Sequence, residues 1–377
     1  MRRYEKYSQY IQKIVCPFST VPDGDIDVDP AAFIAISALL PSAKALPALL
    51  DLSLPESLVL DIRHVPDLVH FFSSNLQQVE LYLTMGGGMA ISHLAAAVPT
   101  LKELSLSGFV HTGVIRQLFR FKSLVKISLH FSTHSNTPSR KARKALRHGL
   151  LELFESLPQL PAMGTFNFNI IANLVAPYSL FPETSFLVHI RKIHLRGAGP
   201  NLNNLLRITH NLEEVVLEFT SHTLREEDFC NSFEILSHHA TLRSVKITSN
   251  TSVPLSSAFT PLLRIFGLHT LDIGTSISSS EITNADISNM VSAWPRLQRL
   301  FLPTEAGNGR PNVTLQCLIP LSTLSELKEL RVRLPVGIVN IPLHYGDEAN
   351  YLQSIFLPRQ LWPHLVAHRN GVTNRHA

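Results

Sequence analysis

Three cysteines in 377 residues, Cys16, Cys230 and Cys317, are too few and too scattered for a disulfide framework or a cysteine-based zinc site. Their scarcity points to a reducing compartment. Charge is sparse as well: Asp, Glu, Lys and Arg make up 16% of the chain and the net charge is +4. Such a mild excess predicts no nucleic-acid partner. No apolar run reaches the roughly 20 residues that a membrane helix needs. The most apolar early region, Ala31 to Leu54, is broken by Pro41, Lys44, Pro47 and Asp51. No apolar core of signal-peptide length follows Met1-Arg-Arg-Tyr-Glu-Lys-Tyr7. The expected location is cytoplasmic or nuclear, with no membrane partner.

Catalytic signatures are missing too. The 18 histidines include the adjacent His238 and His239, but none stands in an H-E-x-x-H or comparable metal spacing. Gly86-Gly-Gly88 lacks the Lys-Ser/Thr of a phosphate loop and reads as a turn ahead of a helix at Ile91 to Val98. The aspartates between Pro22 and Pro30 do not carry the glycine and terminal glutamate of a calcium loop at the required positions. No G-x-S-x-G context surrounds a serine. The expectation is a chain without catalysis, metal or cofactor.

What the chain has is repetition. Leu101-Lys-Glu-Leu104-Ser-Leu106 is rewritten at Leu76, Leu124, Ile190, Leu212, Leu242, Leu268, Leu297, Leu327 and Leu352, with a degenerate copy at Met163, Phe166 and Phe168. From Leu76 onward the start-to-start intervals are 25, 23, 39, 27, 22, 30, 26, 29, 30 and 25. Periods in the twenties of an L-x-x-L-x-L unit mark leucine-rich repeats. Each alternation makes a short strand with its leucines inward. A helix must then return the chain to begin the next parallel strand.

Helical stripes occupy the gaps: Val114, Ile115, Leu118 and Phe119; Phe229, Phe233 and Leu236; Leu262, Leu263 and Phe266; Ile287, Met290, Val291 and Trp294; Leu315, Leu318 and Ile319. Thr260 is expected to cap the third, with Pro261 in its first turn. Tyr4, Tyr7, Ile11 and Ile14 predict an amphipathic helix that Pro17 ends. The expected organisation is a helical cap or linker over 1–50, a repeat array over 51–357 with an insertion at about 131–161, and a tail over 358–377. Leu58-Val-Leu60 reads as a partial first strand. The insertion carries Arg140-Lys-Ala-Arg143-Lys-Ala-Leu-Arg147, read as the solvated face of a helix whose apolar side is Leu146, Leu150, Leu153, Phe154 and Leu157.

The residues between the strand leucines face the other way, towards the expected concave surface, the usual recognition face of such solenoids. Candidate protein-binding residues there are Tyr82, Lys126, His130, Lys192, His194, Arg196, Glu214, Glu218, Lys246, Asp272, Arg299, Phe301, Arg331 and Arg333. Charges of both signs suit a protein partner better than a phosphate polymer, although neighbouring opposite charges can also simply offset one another.

Val98-Pro-Thr-Leu-Lys-Glu-Leu-Ser-Leu106, Ala293-Trp-Pro-Arg-Leu-Gln-Arg-Leu-Phe-Leu302 and Ser74-Asn-Leu-Gln-Gln-Val-Glu-Leu81 resemble the leucine-rich-repeat region of F-box proteins from mushroom-forming fungi. The resemblance covers about residues 51–357, and Arg2 to Val15 is similar to the linker that follows the F-box. It implies an α/β leucine-rich-repeat solenoid, a curved horseshoe with parallel strands on the concave side and helices on the convex side. It also implies substrate recognition for an F-box, cullin-type ubiquitin ligase, with a protein substrate on the concave face and a Skp-type adaptor as second partner. The F-box itself is not evident. Leu54-Pro-Glu-Ser-Leu58 mimics its opening, but Pro66-Asp-Leu-Val-His-Phe-Phe72 leads straight into the strand at Leu76. The chain is therefore read as a truncated or divergent member. The other reading is a stand-alone repeat scaffold or regulator with no ubiquitin role.

Overall fold

A computed structural model of the chain describes residues 9–15, 46–54, 69–83, 87–108, 112–131, 148, 152–157, 160, 162–170, 187–220, 226–249, 259–274, 282–302, 312–334 and 337–342. It divides into two compact units, Met1–Leu212 and Glu213–Ala377. Both are α/β and of solenoid type, with strands in sequence order and helices between them.

In the first unit seven parallel strands pair with their neighbours in turn: β1 (Lys13–Val15), β2 (Asp51–Ser53), β3 (Gln78–Leu83), β4 (Glu103–Gly108), β5 (Lys126–Phe131), β6 (Thr165–Ile170) and β7 (Lys192–Gly197). Helices α1 (Gly87–Ala97), α2 (Thr112–Leu118) and α3 (Gly199–Arg207) follow β3, β4 and β7. In the second unit β8 (Glu214–Phe219), β9 (Ser244–Ser249), β10 (Thr270–Ile273), β11 (Arg299–Phe301) and β12 (Glu329–Leu334) pair in parallel. Helices α4 (Glu226–Ser237), α5 (Asn284–Ala293) and the short α6 (Leu318–Leu321) follow β8, β10 and β11.

The register explains why the sequence repeats. Leu104 sits opposite Val79 and Ile127, and Leu106 opposite Leu81 and Leu129. All six are at most 1% exposed, so one apolar ladder runs under the sheet. The second unit repeats it through Val215, Val245, Leu271, Leu300 and Leu330. Each such leucine, moved from water to this core, contributes about 1.5–3 kcal/mol. The residue after the first leucine has a backbone task. The Gln77 carbonyl accepts from both Lys102 and Glu103 N–H at 3.0 and 2.9 Å, and Lys102 does the same for Val125 and Lys126. In the second unit Glu213, Arg243, His269 and Gln298 continue this pattern. Every unit therefore depends on its neighbour for hydrogen bonds as well as for burial.

The degenerate copy holds its place by filling volume with rings. Phe166 and Phe168 stack at 5.5 Å, and Phe154, from the helical turn at 152–156, meets both edge-on at 6.1 and 5.8 Å. Leu153 and Leu157 are buried beside it, as the insertion pattern predicts. The basic run at 140–147 lies outside the described residues.

Several expectations need correction. Lys13–Val15 is a strand in register with β2, not the end of an amphipathic helix, and Ile11 is exposed. The parallel ladder is thus in place before residue 51. Its second copy is Leu49-Leu-Asp-Leu52-Ser-Leu54, in which Leu49, Leu52 and Leu54 are fully buried; the expected strand at Leu58 to Leu60 lies outside the described residues. Thr260–Arg264 is a 3-10 turn, and no side chain caps it. At 3.0 residues per turn the buried stripe becomes Phe259, Leu262 and Ile265, which leaves Phe266 74% exposed. Leu315–Cys317 is likewise a 3-10 turn and runs into α6; Cys317, Leu321 and Leu324 form the buried side and Ile319 is 70% exposed. The remaining stripes bury their apolar residues, apart from the partly exposed Phe119. Trp294 also donates its indole N–H to the Leu262 carbonyl at 3.3 Å.

The far edge of β12 is taken by an antiparallel strand, β13 (Gly337–Pro342), with Arg331 opposite Asn340. Both edges of β12 are then used, by β11 and β13, whereas the last expected copy begins at Leu352. That copy and the tail after it lie outside the described residues.

Candidate functional site

Strand alternation sends the other half of each strand to the open face of the sheet, where parallel register lines the side chains up in rows. In the first unit the row through Lys13, Asp51, Gln78, Glu103, Lys126, Thr165 and Lys192 contains two ion pairs, Lys13 with Asp51 at 2.7 Å and Lys126 with Glu103 at 3.0 Å. The row above it is polar: the Ser53 hydroxyl donates to Glu80 at 2.9 Å, and Asn167 donates to Ser128 at 3.0 Å. His194 follows Asn167 in this row. In the third row His130, Asn169 and Arg196 are register neighbours. Lys192 and Arg196 are exposed and His130 and His194 half-buried.

Tyr82 departs from the expectation. It lies on this face but is 4% exposed, so it is not an accessible contact residue. The reason is local. Gly108, with φ +91°, leaves the space of a side chain beside the tyrosine; a Cβ there would lie 3.0 Å from the ring and 2.4 Å from the Leu83 carbonyl.

In the second unit the open face carries larger groups. One row runs Glu214, Ser244, Thr270, Arg299 and Glu329, with Arg299 and Glu329 paired at 2.7 Å. The next runs Val216, Lys246, Asp272, Phe301 and Arg331. There Lys246 and Asp272 pair at 3.4 Å, and the Arg331 guanidinium lies 4.7 Å above the Phe301 ring. Glu218 begins the third row on β8, and Arg333 takes the corresponding strand position on β12.

Lys13 with Asp51, Lys126 with Glu103, Lys246 with Asp272 and Arg299 with Glu329 are thus pairs between register neighbours. The sequence reading missed the partners Asp51 and Ser53 because it overlooked the copy at Leu49, and with it the strand that carries them. Among the described residues no group of three or more His, Cys, Asp or Glu could hold a metal ion, and no helix is long and apolar enough to cross a membrane. Neither protein-family models nor curated proteins give a match to this chain.

Proposed function

We propose that the chain is a non-catalytic protein-recognition module, used as the substrate receptor of an F-box-type ubiquitin ligase. The supporting observation is the open face of the sheet. It presents serine, asparagine, lysine, arginine, carboxylate and one phenylalanine on strands whose backbone positions the hydrogen-bond ladder fixes. Side chains with charges of both signs, carried on strands already fixed by backbone hydrogen bonds, cost little entropy to bind a folded or extended protein surface. Paired surface charges of this sort set partner choice and orientation more than raw affinity. The ubiquitin part of the reading rests on the resemblance of the leucine-rich units to the repeat region of F-box proteins.

The test is capture of a purified Skp-type adaptor by the purified chain. Stoichiometric capture is expected. Failure to capture, by a folded and monodisperse sample, removes the ubiquitin ligase from the proposal and leaves a stand-alone scaffold.

A further inference from the structure

From the open face of β9 to β12 we infer a docking site for an extended acidic peptide segment that places an apolar side chain on Phe301. This deepens the protein-recognition reading and rests on it.

Phe301 is the aromatic residue of its row, and it is half-buried rather than sealed. Its neighbour one strand along, Arg331, is exposed and stacks on its ring at 4.7 Å. Arginine and aromatic residues are the groups that most often dominate interface energy. Stacked together they are ordered before a partner arrives, so less side-chain entropy is lost on docking. The guanidinium also carries five N–H donors in a planar fork, which suits a carboxylate better than a lysine would.

Charge chooses the partner. On β11 and β12 the outward strand positions with described side chains hold Arg299 and Arg331 against Glu329, which Arg299 answers at 2.7 Å, so that Arg331 is the charge in excess. Asp272, on the other side of Phe301, is answered by Lys246 at 3.4 Å. A net positive patch around an aromatic floor fits carboxylates flanking an apolar residue. Its length fits as well. Lys246, Asp272, Phe301 and Arg331 occupy four adjacent strands, about 14 Å at the usual strand spacing, the reach of four or five extended residues.

The experiment uses the full chain and three fluorescein-labelled heptapeptides: Glu-Tyr-Glu-Leu-Glu-Tyr-Glu, the same peptide with lysine for glutamate, and the same with glycine for tyrosine and leucine. Fluorescence anisotropy at low and moderate salt is the readout. The acidic apolar peptide should bind best and weaken as salt rises. Phe301→Ala and Arg331→Glu should each weaken it about tenfold or more. Arg331→Lys should lose part of the affinity, and Lys122→Glu, in the turn before β5, should lose none. Melting curves matching the parent show that the variants fold.

Equal binding of the lysine peptide overturns the assignment. So does unaltered binding by Phe301→Ala, or displacement of the acidic peptide by inorganic polyphosphate at equal charge, which would mark a general anion surface. No measurable binding of the acidic peptide overturns it too. Adaptor capture is read separately and does not depend on Phe301 or Arg331. The recognition module therefore survives if only the peptide assay fails.

Discussion

Leu104 and Ser105 are neighbours in one strand and belong to different worlds. Leu104 is 1% exposed, faces Val79 and Ile127 across the ladder, and is repeated in kind in every unit. Ser105 faces Glu80 and Ser128 in the row above the ion pairs, where the strands from β2 to β7 bring serine, glutamate, asparagine and histidine. One face of the sheet is uniform because each unit must bury the same volume against its neighbour. The other is varied because the backbone ladder already holds it in place and leaves the side chains open to selection for something else. The contrast separates what makes the fold from what uses it.

The strongest way to probe that contrast is to truncate both residues. Leu104→Ala removes buried methyl groups and leaves a cavity, at a cost of about 2–5 kcal/mol. Ser105→Ala should stay within about 0.5 kcal/mol of the parent. Urea titration followed by circular dichroism measures both. A Leu104→Ala cost below about 1 kcal/mol would mean that the units do not depend on one another for burial as the register implies.

A weaker effect is expected on the open face itself. Glu103 and Lys126 pair at 3.0 Å with side chains about two-fifths exposed, 40% and 39%. Such pairs are worth about 0.2–1 kcal/mol. A double-mutant cycle with Glu103→Gln and Lys126→Met, run at low and at 1 M salt, should give a coupling in that range that shrinks as salt rises. A coupling of several kcal/mol would show that the rows hold the sheet together, and would blur the division between the faces.

Most of the inner face was legible in the sequence, because buried leucines at fixed spacing follow directly from stacking. The copies at Met163, Phe166 and Phe168 could be placed without any leucine, since only apolar volume matters there. Legibility failed where the local helix type changed the period. A helical period of 3.6 carried on to Phe266 predicts it as core, whereas the 3-10 turn at Thr260–Arg264 buries Leu262 and ends before Phe266; Ile319 lies in α6, whose buried side runs through Cys317 and Leu321 instead. It failed again around residue 51, where the copy at Leu49 to Leu54 sits at the end of the apolar stretch Ala31 to Leu54 and does not stand out from it. On the open face, Lys126, Lys246, Asp272, Arg299, Phe301 and Arg331 take the alternate strand positions between the buried leucines. Alternation could not reveal that Tyr82 is covered, because that depends on the backbone of a glycine one strand away.

A third effect lies at the start of α6 and sharpens the comparison from the buried side. Cys317 is fully buried, and burial pushes its thiol up to about 11 from the ordinary value of 9.0. Between those values the unfolded chain releases the proton and the folded chain keeps it, so the folded state binds more protons and stability falls as pH rises. The contribution is fully present below about pH 9 and is lost as pH climbs through about 11. Cys317→Ala should therefore flatten the decline of melting temperature between these pH values, while costing some stability at pH 7 through lost packing. The parent and the variant are compared by their slopes against pH, so lysine and tyrosine titrations common to both cancel. Identical slopes would mean that the thiol titrates as if exposed, and that water reaches the inner face beneath α6.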